Sequence, residues 1–184
     1  MVRQPAWFLL FTTLVVLSAC ATVKVYDVQP SFHRISDDYV DVLLEPQPAA
    51  GHNYFNAFRF VLQNKTDKSM EIDWFNTYFL LNGQKNGRFG WDGMTFEDLE
   101  AVRKNPYATI GPGQTLTAVI FPLKLLARHN RQDAARLGGP GPEGQFALGP
   151  LPAGKNGIWL TIMQAGKRYE ETLSFDIREK TVSK

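Results

Sequence analysis

The chain has 184 residues, of which 44% are hydrophobic and 21% are charged. That balance is typical of a folded globular domain and excludes an intrinsically disordered chain. The formal net charge is only +2, so charge gives no argument for a nucleic-acid partner. Cys20 is the single cysteine, which excludes an internal disulfide and any multi-cysteine metal site.

The first twenty residues predict a targeting segment. Arg3 is the only charged residue before Lys24, and the stretch Ala6–Leu17 is an apolar run of 12 residues. Such a run is too short to cross a bilayer as a helix, which needs about 20 residues. A charged start, a short apolar run and small residues at its end are instead typical of a secretory signal peptide.

The end of this segment, Leu17-Ser18-Ala19-Cys20, resembles the lipobox of bacterial lipoproteins. The resemblance implies that residues 1–19 are removed, that the Cys20 thiol carries diacylglycerol and that the new amino group is acylated. Because Ala21 rather than aspartate follows, it also implies sorting to the outer membrane of a two-membrane bacterium. Two or three acyl chains, at ~0.8 kcal/mol per buried methylene, make a permanent anchor. The alternative is an ordinary cleaved signal peptide followed by an incidental cysteine.

Strand patterns dominate the mature chain, residues 20–184, which is expected to form one domain behind a short tether. Apolar residues recur at every second position in 58–62 and 70–74, the period of a half-buried strand. The stretch Asn64–Lys68 between them has turn chemistry, so these two strands are expected to pair antiparallel. Asn82-Gly83 is the strongest short hairpin signal, and Ala165-Gly166-Lys167 predicts a second tight turn. Further strand-like segments are 23–28, 39–44, 78–81, 115–121, 158–163 and 172–177.

About seven to nine strands with short turns predict an all-β fold, an antiparallel two-sheet immunoglobulin-like sandwich. Trp74 and Trp159 are expected to lie between the sheets. Residues 58–83 also resemble immunoglobulin-like domains of bacterial envelope proteins, with a phenylalanine-rich strand, an Asn-x-Thr turn and a tryptophan-bearing strand. Residues 110–115 extend this resemblance, which implies an architecture and not an activity.

Helical insertions and a long loop are expected to interrupt the strands. Thr95 is a candidate N-cap for a short helix reaching Val102, and a second helical stretch is expected over 123–137. The segment 138–157 holds 7 Gly and 4 Pro in its 20 positions, a density that predicts a loop. Phe146, Leu148 and Leu151 are expected to pin part of that loop to the sandwich.

The second helical stretch is basic, with Lys124, Arg128, Arg131 and Arg136. One expectation is that it faces anionic headgroups or an acidic partner. The alternatives are that it pairs with the acidic residues of the first insertion or that it is simply a solvated face. Those acidic residues are Glu97, Asp98 and Glu100.

Catalytic and metal-binding patterns are largely absent from the sequence. His33, His52 and His129 lie in separate segments without metal-ligand spacing, and no nucleophile elbow or phosphate loop occurs. The carboxylates Asp37, Asp38 and Asp41 fit either calcium or a solvated turn. The sequence therefore predicts a protein that is not an enzyme and has no cofactor or metal.

The glycine-rich stretch 86–94 contains the candidate partner-binding residues Phe89, Trp91 and Met94. Exposed aromatic side chains on a sandwich loop form binding hot spots for a protein or a sugar ring. The alternative is that these side chains cap the open end of the sandwich.

These patterns together predict a lipid-anchored outer-membrane lipoprotein that binds an envelope protein through 89–94 and 138–157. One alternative is a glycan- or ligand-binding module that uses Phe89 and Trp91 as a stacking platform. Another is an envelope hydrolase whose reacting residues converge from distant loops.

Overall fold

The protein is a two-sheet antiparallel β-sandwich, as the sequence predicts. The computed structural model describes residues 22–92, 107–128 and 146–183, and every strand pair in these residues is antiparallel. The signal-peptide segment and the helix expected from Thr95 lie outside the described residues.

Sheet A is built around two long central strands. Its strands are β1 (Thr22–Gln29), β5 (Met70–Asp73), β6 (Tyr78–Leu81), β7 (Gln84–Lys85), β9 (Tyr107–Ile110), β13 (Gly154–Gln164) and β14 (Lys167–Ser183). β14 lies between β1 and β13. The other edge of β13 pairs with β5 and with β6, which continue to β9 and β7 respectively.

Sheet B has the order β2-β3-β4-β10-β8. Its strands are β2 (His33–Ser36), β3 (Val40–Pro48), β4 (Phe55–Asn64), β8 (Phe89–Trp91) and β10 (Thr115–Pro122). A short 3₁₀ helix, Leu123–Leu125, leads from sheet B to a separate pair, β11 (Leu126–Arg128) with β12 (Phe146–Leu148).

The core lies between the two sheets and is rich in phenylalanine. Phe58 on sheet B is fully buried, and its ring centroid lies 6.2 Å from that of Phe79 and 5.5 Å from that of Phe175, both on sheet A. Trp74 is also buried and packs edge-to-face on Phe60, as expected. Leu151, expected to pin its loop, is buried in the same cluster.

The two predicted tight turns are present. Asn82 and Gly83 have φ values of 52° and 78°, and Ala165 and Gly166 have 48° and 75°. Two consecutive positive φ values match the right-handed twist of the strands that such turns join. These turns connect β6 to β7 and β13 to β14.

The expected pairing of 58–62 with 70–74 is wrong. β4 pairs with β3 and β10 in sheet B, whereas β5 pairs with β13 and β9 in sheet A. The turn that begins at Asn64 therefore carries the chain from one sheet to the other. Asn64 is buried, and its amide nitrogen donates to the carbonyls of Lys68, Ile110 and Gly111 at 2.7, 3.1 and 3.0 Å.

The secondary structure expected for 123–137 and 138–157 is partly wrong. Only Leu123–Leu125 is helical, and Leu126–Arg128 is a strand because Phe146–Leu148 supplies an antiparallel partner. The remainder of the expected helix, 129–137, lies outside the described residues. The expected loop contains β12 and the first part of β13, so only the stretch from Gly149 to Ala153 is irregular among its described residues.

β1 and the end of β14 extend beyond the rest of sheet A. β1 pairs with residues 176–183 of β14, from Gln29 opposite Asp176 to Thr22 opposite Ser183. β13 begins at Gly154 opposite Ile177, so in the described part of the chain residues 178–183 pair with β1 alone. We call this two-stranded ribbon, Thr22–Asp27 with Arg178–Ser183, the stem.

Candidate functional site

Phe89 and Trp91, two of the three residues expected to bind a partner, lie in a strand and not in an exposed loop. Phe89 is in strand β8 and is 1% exposed, with its ring centroid 6.0 Å from Phe58 and 6.1 Å from Phe79. The expectation of an exposed aromatic side chain at this position is therefore wrong. Side chains alternate across a strand, so Trp91 shares the inner face of β8 with Phe89; it is half-buried against the core. Met94 lies outside the described residues.

The acidic turn that contains Asp37, Asp38 and Asp41 is held by local bonds. The Asp37 carboxylate accepts hydrogen bonds from the backbone N–H groups of Tyr39 and Val40 at 2.7 Å each. Asp41 forms an ion pair with Arg34, and the hydrogen bond from that guanidinium lowers the pKa of Asp41. The described residues contain no group of three or more His, Cys, Asp or Glu side chains placed to hold a metal ion.

The two described histidines each contact another described residue. His33 Nδ1 lies 2.9 Å from both the backbone nitrogen and the carbonyl oxygen of Ser174. It therefore meets the edge of β14 just beyond the end of β1. The His52 ring stacks on Tyr54 with centroids 4.9 Å apart. His129 lies outside the described residues.

The expectation that Trp159 lies between the sheets is wrong. Ile158, Leu160 and Ile162 on β13 are buried in the core, so Trp159 projects from the outer face of sheet A. There it lies opposite Tyr78 on β6. The Lys85 ammonium sits 4.5 Å from the ring centroids of both Tyr78 and Trp159. We call these three residues the Trp159 patch.

The Trp159 patch combines partly exposed aromatic area with a cation. Lys85 is exposed and has no ion-pair partner among the residues that the structure describes. Trp159 Nε1 is buried and has no hydrogen-bond acceptor there. Most buried donors are paired, so this unpaired indole N–H is an exception among the described residues.

A second cation–π pair lies close to this patch in the chain. The Arg88 guanidinium carbon is 3.7 Å from the ring centroid of Phe75, which is 41% exposed. Arg88, like Lys85, has no ion-pair partner in the described ranges. Aromatic residues and arginine are the types enriched at protein interfaces.

Lys124, the one side chain of the expected basic helix that the structure describes in detail, donates a hydrogen bond of 2.7 Å to Asn86 Oδ1. Arg131 and Arg136 lie outside the described residues, as do the acidic residues Glu97, Asp98 and Glu100. The pairing expected between these two groups stays a prediction.

A small cleft opens at the end of the sandwich opposite the stem. The rings of Tyr39 and Tyr169 form one wall, with centroids 5.8 Å apart. Glu171 also lines the cleft. Burial raises the pKa of its carboxyl group, and the negative charge of nearby Asp37 raises it further. The cleft volume is about 20 Å³, space for a single water-sized group. We call it the tyrosine cleft.

Sequence reasoning missed both surfaces. A signal for the Trp159 patch was present, because Trp159 is out of phase with the apolar positions 158, 160 and 162 of its own strand. The tyrosine cleft had no local signal, since Tyr39 and Tyr169 are far apart in the chain and meet only where the two sheets end.

Comparison with protein families, curated proteins and solved structures gave no match. In the described part of the chain, no helix has the length and apolarity needed to span a bilayer.

Proposed function

We propose that the protein is a lipid-anchored lipoprotein of the bacterial envelope that binds another envelope protein without catalysing a reaction. The anchor rests on the resemblance of Leu17-Ser18-Ala19-Cys20 to a lipobox. The binding surface is the Trp159 patch with the Phe75–Arg88 pair, which lies close to it along the chain. It takes the place of the 89–94 segment, because Phe89 is a core residue.

The observation that carries the binding proposal is the placement of two cations over partly exposed aromatic rings. Lys85 and Arg88 have no acidic partner in the described residues, so a carboxylate from another protein meets no competing ion pair from that part of the chain. The aromatic rings beneath add apolar area at low conformational cost, which is the composition of interface hot spots. The partner is therefore expected to present an acidic segment with an apolar side chain beside it.

The same geometry argues against a glycan on this patch. A sugar ring stacks on an open aromatic face, but the Lys85 ammonium lies over one face of both Tyr78 and Trp159. A sugar would have to displace the cation and lose its attraction to the rings, estimated at about 0.5–1 kcal/mol at an exposed site.

The anchor is tested by intact mass and membrane fractionation of the host protein beside a Cys20→Ser variant. The proposal expects a wild type that lacks residues 1–19, carries lipid and sediments with membranes, and a variant that is soluble. A soluble, unlipidated wild type refutes the anchor.

The binding surface is tested with charge reversals that leave the core intact. After mild detergent extraction, Lys85→Glu combined with Arg88→Glu is expected to lose the co-purifying envelope protein, whereas Lys155→Glu, an exposed control elsewhere on β13, keeps it. Equal recovery with both variants contradicts the assignment. Quenching of tryptophan fluorescence by peptidoglycan fragments, abolished by Trp159→Phe, would favour the glycan alternative.

A further inference from the structure

The stem combines three features that a β-sandwich does not need for its own stability. It projects from sheet A, it carries exposed apolar side chains near its tip, and it begins two residues after Cys20. Six residue pairs at about 3.3 Å per residue give it a length of roughly 20 Å.

The apolar side chains of the stem share one face. Val23 lies directly opposite Val182, and Val25 follows two positions along β1, so alternation places all three on the outer face of sheet A. Val182 is 50% exposed and Val25 is 39% exposed. The three valines form an apolar tip at the end of the ribbon, and Lys180, which lies opposite Val25 on the same face, borders it.

Two ion pairs join the strands of the stem, one level with the tip on the opposite face and one nearer the base. Lys24 Nζ lies 2.7 Å from Glu179 Oε1, and Lys180 Nζ lies 3.1 Å from Asp27 Oδ2. The hydrogen bonds from these lysines lower the pKa of Glu179 and of Asp27, so both carboxylates stay ionised at neutral pH. Tyr26 adds a hydrogen bond from its hydroxyl to Glu179.

The base of the stem is fixed to the sandwich. Ile177 is buried in the core, and Val28 opposite it packs against the same cluster. A free two-stranded ribbon is only marginally stable in water, but this one continues two strands of a larger sheet. Its direction is therefore set by sheet A.

The distance from Cys20 to the stem leaves little freedom. Two residues span at most about 7 Å, which is close to the thickness of one headgroup layer of a bilayer. If Cys20 carries the lipid, Thr22 cannot leave that layer. The short tether expected from the sequence is then Cys20–Ala21 alone.

We propose that the tip formed by Val23, Val25 and Val182 lies in the lipid headgroup layer and that the stem holds the sandwich in one orientation on the membrane. This inference rests on the proposed lipid anchor. The eleven residues of β13 add roughly 35 Å beyond the stem. The tyrosine cleft, at the Gln164 end of β13, then faces away from the lipid, roughly 55 Å from it when the stem stands upright.

The experiment uses the full-length lipidated protein in vesicles of phosphatidylethanolamine and phosphatidylglycerol. Lipidation blocks the Cys20 thiol, so Val182→Cys provides a single reactive site for an environment-sensitive fluorophore. Val119→Cys, on the exposed face of sheet B, is the matched control, and Tyr39→Cys reports on the tyrosine cleft. Quenching is measured with nitroxide-labelled lipids and with aqueous iodide.

Nitroxide lipids are expected to quench at least half of the fluorescence of the label at position 182, and iodide only a little of it. For the labels at positions 119 and 39, iodide is expected to quench strongly and nitroxide lipids weakly. Inserting about ten Gly and Ser residues after Ala21, a flexible span of roughly 17 Å, should release the 182 label into water while the protein stays bound to vesicles.

Each other outcome overturns a defined part of the proposal. If the intact mass shows no lipid and the protein does not float with vesicles, the proposed anchor is wrong. The proposed contact between the stem and the lipid is then wrong as well. If the protein is anchored but iodide quenches the 182 label, the stem proposal alone fails. If the 182 label is shielded from both quenchers, and more so at higher protein density in the vesicle, the tip contacts a second copy of the protein. That result also overturns lipid contact.

Discussion

Asn64 is expected to be the most sensitive polar position in the described part of the sandwich. Its amide nitrogen donates to three carbonyls from two separate segments, the turn at Lys68 and the end of β9 at Ile110 and Gly111. Its Oδ1 accepts from the Thr66 backbone N–H at 3.0 Å and the Thr66 hydroxyl at 2.8 Å. The side chain is 0% exposed, so water cannot replace these bonds without entering the core.

Asn64→Ala removes about four hydrogen bonds, because the two N–H groups serve three acceptors. At about 1 kcal/mol net for each, with part of the loss recovered by hydration of the Thr66 side, the free energy of unfolding should fall by about 2–4 kcal/mol. For a domain of this size that lowers Tm by roughly 5–15 °C. Asn64→Asp should lower it further, since it directs a carboxylate oxygen at the same carbonyls.

The assay is urea unfolding of the soluble Cys20→Ser form, followed by tryptophan fluorescence. Asn53→Ala is the matched control, because Asn53 is exposed and makes no side-chain hydrogen bond to the described residues; it should change stability by less than about 0.5 kcal/mol. If Asn64→Ala and Asn53→Ala unfold at the same urea concentration with the same slope, the amide does not stabilise the crossing between the sheets and the reasoning is refuted.

Two further predictions concern Phe89 and Glu171. Phe89→Ala should lower the free energy of unfolding by about 3–5 kcal/mol, since it leaves a cavity among Phe58 and Phe79; a change below about 1 kcal/mol would show that the ring is not a core element. Glu171→Gln should raise stability at neutral pH by about 0.5 kcal/mol, because burial raises the pKa of Glu171 and thus penalises its charged form. The gain is complete above that raised pKa. It decreases as the pH falls towards the ordinary glutamate pKa and is absent below it, where wild type and variant are both neutral. Glu170→Gln, on the opposite face, should show no such gain, and a pH-independent difference would contradict the assignment.

Local sequence patterns predicted the strands and turns well because those features depend on near neighbours. Alternation along 58–62 identifies the inner face of β4, and Asn82-Gly83 can occupy the left-handed conformations that a two-residue hairpin requires. Ala165-Gly166 follows the same rule, with glycine at the second position.

The assignment of strands to sheets was not contained in those patterns. A turn after Asn64 is compatible with a hairpin and with a crossing between sheets, and the choice depends on carbonyls of Ile110 and Gly111 that lie 46 and 47 residues away. The same limit explains the error at Leu126–Arg128, because its partner strand, Phe146–Leu148, is not adjacent to it in the sequence.

Candidate site residues were less predictable than the fold for a related reason. Aromatic residues near glycines suggested an exposed loop at 86–94, but Phe89 pairs through β8 with β10 and completes the core. Trp159 was assigned to the core on residue type alone, whereas its phase along β13 places it outside.

The position of β14 also has a consequence for the order in which the protein folds. β14 is the last of the described strands to be synthesised, yet it lies between β1 and β13. Its contacts with β1 join residues that are distant in the chain, such as Tyr26 and Glu179, which are 153 positions apart. Pairing at such separation is slow. Sheet A therefore forms late, and a chain terminated before Lys167 leaves β1 without a neighbour and β13 with an open edge. Open strand edges of this kind favour aggregation.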